Sequence, residues 1–154
     1  MARAENQDVG LYFEDSGGAG SPVLFLHEYA GDHRSWAGQT KVLSGSHRCL
    51  TASARGYPPS DCPDRPDAYT QDTINGDALA VLDAAGVDKA HIVGLSMGAF
   101  TALQLAQFFP ERVLSITAAA GGSGSAEQPL AREGFVTEAL GLAGIMEKIQ
   151  AVPA

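Results

Sequence analysis

Histidine is absent after position 91. The chain holds four, His27, His33, His47 and His91, so any chemistry that needs an imidazole must draw on these. Cysteine is nearly absent too: Cys49 falls in an expected strand and Cys62 in an expected loop, neither with metal-ligand spacing, so we expect two free thiols and no bound metal. Basic residues are scarce and scattered, 10 Lys and Arg against 18 Asp and Glu, giving a net charge of −8. Neutralising a polyphosphate takes clustered Lys and Arg, so nucleic acid is not an expected partner. No run reaches the ~18 apolar residues of a membrane span, and residues 1–8 lack the apolar core of a secretion signal. The expected setting is the cytoplasm, with no membrane partner. The glycines within Asp15–Pro22 precede a strand-like run rather than a helix, which argues against a dinucleotide loop, and no cofactor is expected.

What is present is a globular composition, 45% apolar over 154 residues, enough for one hydrophobic core. Short strand-like runs, Leu11–Glu14, Val23–Leu26, His47–Ala52, a run ending at Leu95, and Val113–Ala118, are separated by helix-period segments. A helix is expected from about Ser35 to Leu43, a second from Thr70 to Gly86 with Ile74, Ala78, Val81, Leu82 and Ala85 on one face, and a third ending at Phe109 before Pro110. Alternation of this kind predicts an α/β fold: a doubly wound, mostly parallel sheet with helices on both faces. Gly121–Ser125 reads as a flexible link, and Leu130–Ile149 as an amphipathic helical segment.

The most informative stretch is His91–Phe100. A β-branched run leads into Gly94-Leu95-Ser96-Met97-Gly98, and an alanine-rich helical pattern follows at once. Strand, sharp turn and helix is the context of a nucleophile elbow, where a serine in a strained backbone stands above the sheet and the flanking glycines let strand and helix approach closely.

Taken in order, four stretches resemble the α/β-hydrolase fold superfamily: Val23-Leu24-Phe25-Leu26-His27 leading into a loop, Trp36 in the helix after it, Ala54-Arg55-Gly56-Tyr57 with Ser60, and the Gly94–Gly98 elbow. Pro110-Glu111-Arg112-Val113 looks like that family's passage into the next strand. The resemblance covers about residues 10 to 125. It implies that residues 1–125 are the first part of a hydrolase core and that 126–154 begin a helical lid. It also implies that Ser96 is the nucleophile, that the backbone N–H groups of Met97 and Tyr29 form the oxyanion hole, and that Glu28, Tyr29 and Met97 meet the substrate. Glu28 departs from the family, which commonly has glycine there, and brings a carboxylate toward the oxyanion site. Trp36 and Tyr57 read as packing residues sooner than as substrate contacts, and Arg55 as either a surface residue or an organiser of its loop.

The family's triad runs serine, acid, histidine along the chain, whereas every histidine here precedes Ser96. His47 and His91 start strands and so lie at the far end of the sheet from Ser96, while His27 and His33 lie at the right end but read as structural. The expectation is therefore a chain that stops half way through the fold, with an exposed sheet edge prone to self-association or to pairing with a C-terminal fragment. The expected function is a serine-nucleophile hydrolase acting on a small ester, lactone or similar carbonyl substrate, the isolated chain being weak or inactive. The alternatives are a non-catalytic binding module that keeps the elbow, and a cofactor-free haloperoxidase or perhydrolase using the same triad. Epoxide hydrolases and haloalkane dehalogenases are disfavoured because those relatives carry aspartate at the position of Ser96.

Overall fold

A computed structural model describes residues 2–121; the link after Gly121, the helical segment 130–149 and the lid assigned to 126–154 lie outside the described residues. Strands β1 (Ala2–Asn6) and β2 (Val9–Asp15) form an antiparallel hairpin. Gln7 and Asp8 turn the corner in left-handed conformations, φ 52° and 61°, as a two-residue turn that follows the strand twist requires. The other strands are β3 (Ser21–Leu26), β4 (His47–Ala52), β5 (Ala90–Leu95) and β6 (Val113–Ala119). The sheet order is β1-β2-β4-β3-β5-β6, with β4, β3, β5 and β6 mutually parallel and β2 antiparallel to both of its neighbours. The expected mostly parallel α/β sheet is what forms, with β1 as a strand the sequence pattern did not reveal.

Three α-helices connect the parallel strands: α1 (Ala37–Leu43), α2 (Gln71–Ala84) and α3 (Met97–Phe108). A 3-10 turn over His33–Trp36 precedes α1, so the helix expected near Ser35 starts one tight turn early. Thr70 caps α2, its hydroxyl accepting the Thr73 N–H at 3.2 Å. Pro110 follows the end of α3, as its missing N–H and ring clash require. On one face of the sheet Leu24, Leu50 and Ile92 are fully buried together with Val81, Leu82, Ala102 and Leu105 of α2 and α3. On the other, Val23, Phe25 and Cys49 pack against Trp36, whose ring tilts onto Phe25 at 5.2 Å.

The loop after β4 is anchored by a buried ion pair. Arg55 is 2% exposed and grips Asp77 of α2 bidentately, Nε to Oδ2 at 2.6 Å and Nη2 to Oδ1 at 2.5 Å. Its remaining donors reach the carbonyls of Ala68 at 2.8 Å and Asn6 at 3.4 Å, while the Asn6 amide donates to Asp77 Oδ1 at 2.8 Å. Arg55 is thus the organiser of its loop and not a surface residue. Ser60 and Asp61 tie the loop's far end to β2. The Ser60 hydroxyl donates to the Ser53 carbonyl at 2.7 Å and accepts the Tyr12 N–H at 2.8 Å, and Asp61 accepts the Gly10 N–H at 2.7 Å.

Breaking a buried pair leaves an uncompensated charge in a low dielectric, so Arg55→Ala is expected to lower unfolding stability by about 3–5 kcal/mol in urea titration. The double replacement Arg55→Met with Asp77→Leu is expected to recover part of that loss; a double variant no more stable than Arg55→Ala would show that the hydrogen bonds to Ala68 and Asn6 dominate.

Candidate active site

Ser96 lies between the end of β5 and the start of α3 with φ 51° and ψ −107°, a left-handed conformation that costs a non-glycine residue on the order of 1–3 kcal/mol unless its surroundings impose it. They do. A side chain on Gly98 would collide with the Leu26 carbonyl at the end of β3, and one on Gly94 with the Gly98 carbonyl, so only glycine permits the close crossing of β3, β5 and α3. The Ser96 N–H donates to the Ala119 carbonyl of β6 at 2.9 Å, and its carbonyl accepts the Phe100 N–H at 3.1 Å. The hydroxyl makes no hydrogen bond among the described residues.

The loop leaving β3 forms a turn in which the Gly31 N–H donates to the Glu28 carbonyl at 3.1 Å. Ala30, at φ 63°, takes the left-handed position of this turn. The Tyr29 and Met97 N–H groups, both expected oxyanion donors, find no acceptor among the described residues. The Met97 N–H is also the first of α3, at the positive end of the helix dipole. The Tyr29 side chain is 77% exposed. Glu28 does not reach over the elbow: its carboxylate folds back on the 3-10 turn, where Oε1 accepts the Ser35 hydroxyl at 3.0 Å and Oε2 is buried without a partner among the described residues. The missing side chain of Gly31 makes the room for it.

Each histidine is committed elsewhere. His27 is 2% exposed; its Nδ1 donates to the Glu28 carbonyl at 2.7 Å and its Nε2 accepts the Ala54 N–H at 3.0 Å, which assigns a neutral ring. It thereby fastens the turn after β3 to the loop after β4. His33 is buried against Tyr12, with Nδ1 2.9 Å from the Ser53 hydroxyl. His91 bonds Ser115 at 2.7 Å and Ser21 at 3.1 Å at the amino end of the sheet, and His47 bonds Ser46 at 2.9 Å. None bonds the Ser96 hydroxyl.

Tyr57, which the sequence favoured as a packing residue, stands at this site. Its ring meets His27 edge-on at 4.9 Å and Tyr29 at 6.4 Å, and its hydroxyl lies 3.8 Å from Met97 Sδ. The motif Arg55-Gly56-Tyr57 was visible, but not that the loop brings residue 57 back to the elbow. A largely apolar cavity of about 40 Å³ lined in part by Leu26, Ile74, Val81 and Met97 has room for no more than a few waters.

A family model described as alpha/beta hydrolase fold matches residues 21–148. The chain is 36% identical over 106 residues to epoxide hydrolase 1 of Caenorhabditis elegans, covering 68% of this chain and 26% of that protein. It is 35% identical over 97 residues to 3-oxoadipate enol-lactonase 1 of Acinetobacter baylyi, covering 63% of this chain and 35% of that protein. The solved enol-lactonase of Burkholderia xenovorans superimposes with a TM-score of 0.74 at 27% identity, covering 79% of this chain and 47% of that one. The chain thus spans between about a quarter and a half of the length of these proteins.

Burial holds the His27 imidazole below its ordinary pKa of 6.5, against the opposing pull of the Glu28 carbonyl and of the Glu28 and Asp32 carboxylates. The folded chain therefore favours the neutral ring, and unfolding lets it protonate. This contribution is complete above pH 6.5 and shrinks as pH falls from there toward the depressed value. Asp32, held down to about 2 chiefly by its hydrogen bond from Arg34, acts only below its ordinary 3.8. Thermal melts from pH 7.5 to 5 are expected to show a loss of stability that is smaller in His27→Gln; parallel curves would contradict the neutral assignment.

Proposed function

The chain belongs to the alpha/beta hydrolase fold family, and from that membership we propose that it carries the nucleophile and oxyanion elements of a serine hydrolase acting on a small ester, lactone or similar carbonyl compound. The observation that carries this reading is Ser96 itself: a hydroxyl without a partner among the described residues, on a left-handed backbone, at the start of α3. Attack of Ser96 Oγ on a carbonyl carbon forms a C–O bond and moves the π electrons onto the carbonyl oxygen, where the N–H groups of Met97 and Tyr29 are its donors. Collapse expels the alcohol, or opens the lactone ring, and leaves an ester on Ser96 that water hydrolyses.

The relatives include both an epoxide hydrolase and an enol-lactonase, and the chemistry of the elbow residue favours the carbonyl substrate. A serine that opened an epoxide would end as an ether, which has no carbonyl for water to attack. A carboxylate nucleophile would give a hydrolysable ester. The proton of Ser96 must go to a base, and the bonding of the four histidines supports none of them in that role. In this reading the histidine and its acid partner come from polypeptide outside these 154 residues, as the relatives' greater lengths allow. The β6 edge, where Leu114 and Ile116 are exposed, is then where further strands pair. The second reading is a binding module that keeps the elbow without turnover, and it is favoured by the bonding of all four histidines to groups other than Ser96.

A fluorophosphonate probe separates the two. We expect very weak labelling of the 154-residue chain alone, rising about tenfold or more when imidazole is added as a surrogate base, with all of the gain lost in Ser96→Ala. Imidazole-independent silence, or labelling that survives Ser96→Ala, favours the binding module; fast turnover of p-nitrophenyl acetate without imidazole would contradict the assignment of the histidines.

A further inference from the structure

The polar side chains at the carboxyl end of the sheet are almost all engaged by strong partners. Arg55 is spent on Asp77, Ser60 on Ser53, His27 on Glu28 and Ala54, and Ser35 on Glu28. The Tyr57 phenol, like the Ser96 hydroxyl and Glu28 Oε2, is an exception among the described residues. The acceptor within reach of its O–H is a thioether, Met97 Sδ at 3.8 Å, and a thioether is a weak acceptor that a carbonyl or ester oxygen displaces readily. The phenol is not free to swing away. Its backbone N–H donates to the Ala54 carbonyl at 3.0 Å, its carbonyl accepts the Ser60 N–H at 3.0 Å, and its ring is set edge-on against His27. The hydroxyl is therefore held beside Met97, next to the turn that carries Tyr29. Burial also pushes the phenol's pKa up, against an opposing hydrogen bond from the Ala30 N–H, so the donor is present at neutral pH.

The charges around this hydroxyl bear on what it can receive. Arg34, Arg55 and Arg65, cations of the loops at this end, are each paired with an aspartate, Asp32, Asp77 and Asp67. Glu28 adds a carboxylate at the base of the turn. Among the described residues, a carboxylate on a ligand would find no unpaired arginine here to offset its desolvation, whereas a neutral carbonyl or ester oxygen needs only a hydrogen-bond donor.

We propose that the Tyr57 hydroxyl is a third hydrogen-bond donor to the substrate, released by Met97 Sδ when a substrate oxygen arrives, and that it suits the site to neutral esters and lactones over their carboxylate anions. This deepens the serine-hydrolase reading and rests on it for the identity of the reacting oxygen, but the contact can be read without the nucleophile.

The test has two arms. In the Ser96→Ala chain with 13C at tyrosine Cζ, the Tyr57 resonance, assigned by its loss in Tyr57→Phe, is followed while methyl phenylacetate or phenylacetate is added. The expected result is a shift with the ester and little with the anion; no shift, or an equal shift with both, overturns the proposal. In the Ser96-bearing chain, imidazole-assisted acylation by p-nitrophenyl phenylacetate is compared between wild type and Tyr57→Phe, which keeps the ring on His27. A rate about tenfold lower, the size of one ordinary hydrogen bond to substrate, is expected, and an unchanged rate overturns the proposal even if the resonance moves. Should wild type show no Ser96-dependent acylation, the nucleophile reading falls and the resonance arm alone decides the role of Tyr57.

Discussion

The buried pair of Arg55 and Asp77 is the constraint from which the carboxyl end of the sheet is hung. It joins four separate pieces of chain: the loop after β4, the body of α2, the turn at Ala68 and the β1–β2 hairpin at Asn6. A buried ion pair is weak evidence of net stability, because desolvating two charges costs about as much as their attraction returns. Its effect here is one of geometry. Five hydrogen bonds with fixed directions leave the loop one way to sit, and that way puts Tyr57 against His27 and Met97.

The elbow depends on a second constraint, which is steric. Ser96 stays in its left-handed conformation because β5, α3 and β3 cross at Gly94 and Gly98 too closely for any side chain. It also stays there because β6 holds its N–H through Ala119. The strain is thus sustained from both sides, and it fixes the direction of the serine hydroxyl at the helix start without any polar contact to the hydroxyl itself among the described residues. The Met97 N–H is left free by the same arrangement, since the first amides of a helix have no intrahelical acceptor.

Much of this frame was legible in the sequence because the signals are local. Val23–Leu26 reads as a buried strand from its unbroken apolar run, and the elbow reads from two glycines at fixed offsets between a β-branched run and a helix. The hairpin strand Ala2–Asn6 did not read, because its five residues include Arg3, Glu5 and Asn6, and its turn uses Gln7 and Asp8 where a glycine would have signalled it. Long-range polar pairing did not read either. Arg55 and Asp77 are 22 positions apart, with nothing in the spacing to join them. Tyr57 looked like packing because its approach to Met97, 40 positions on, exists only once the loop is pinned.

The histidines show how topology can settle a role that composition leaves open. His27 stands at the carboxyl end of β3, near enough to the elbow to invite the part of a base. Yet both of its ring nitrogens are consumed in joining the Glu28 carbonyl to the Ala54 amide. Turning the ring toward Ser96 would break both hydrogen bonds and leave the part-buried Ala54 N–H without its acceptor, at a cost of about 1–3 kcal/mol. It would also release the turn that presents the Tyr29 amide. An imidazole bonded through both nitrogens has neither left for the Ser96 hydroxyl, and its desolvated, neutral state suits the task of joining the turn to the loop after β4. In the proposed serine-hydrolase reading, the groups that hold a developing oxyanion and the group that accepts the proton are therefore separate parts of the fold, and the first lie within residues 2–121.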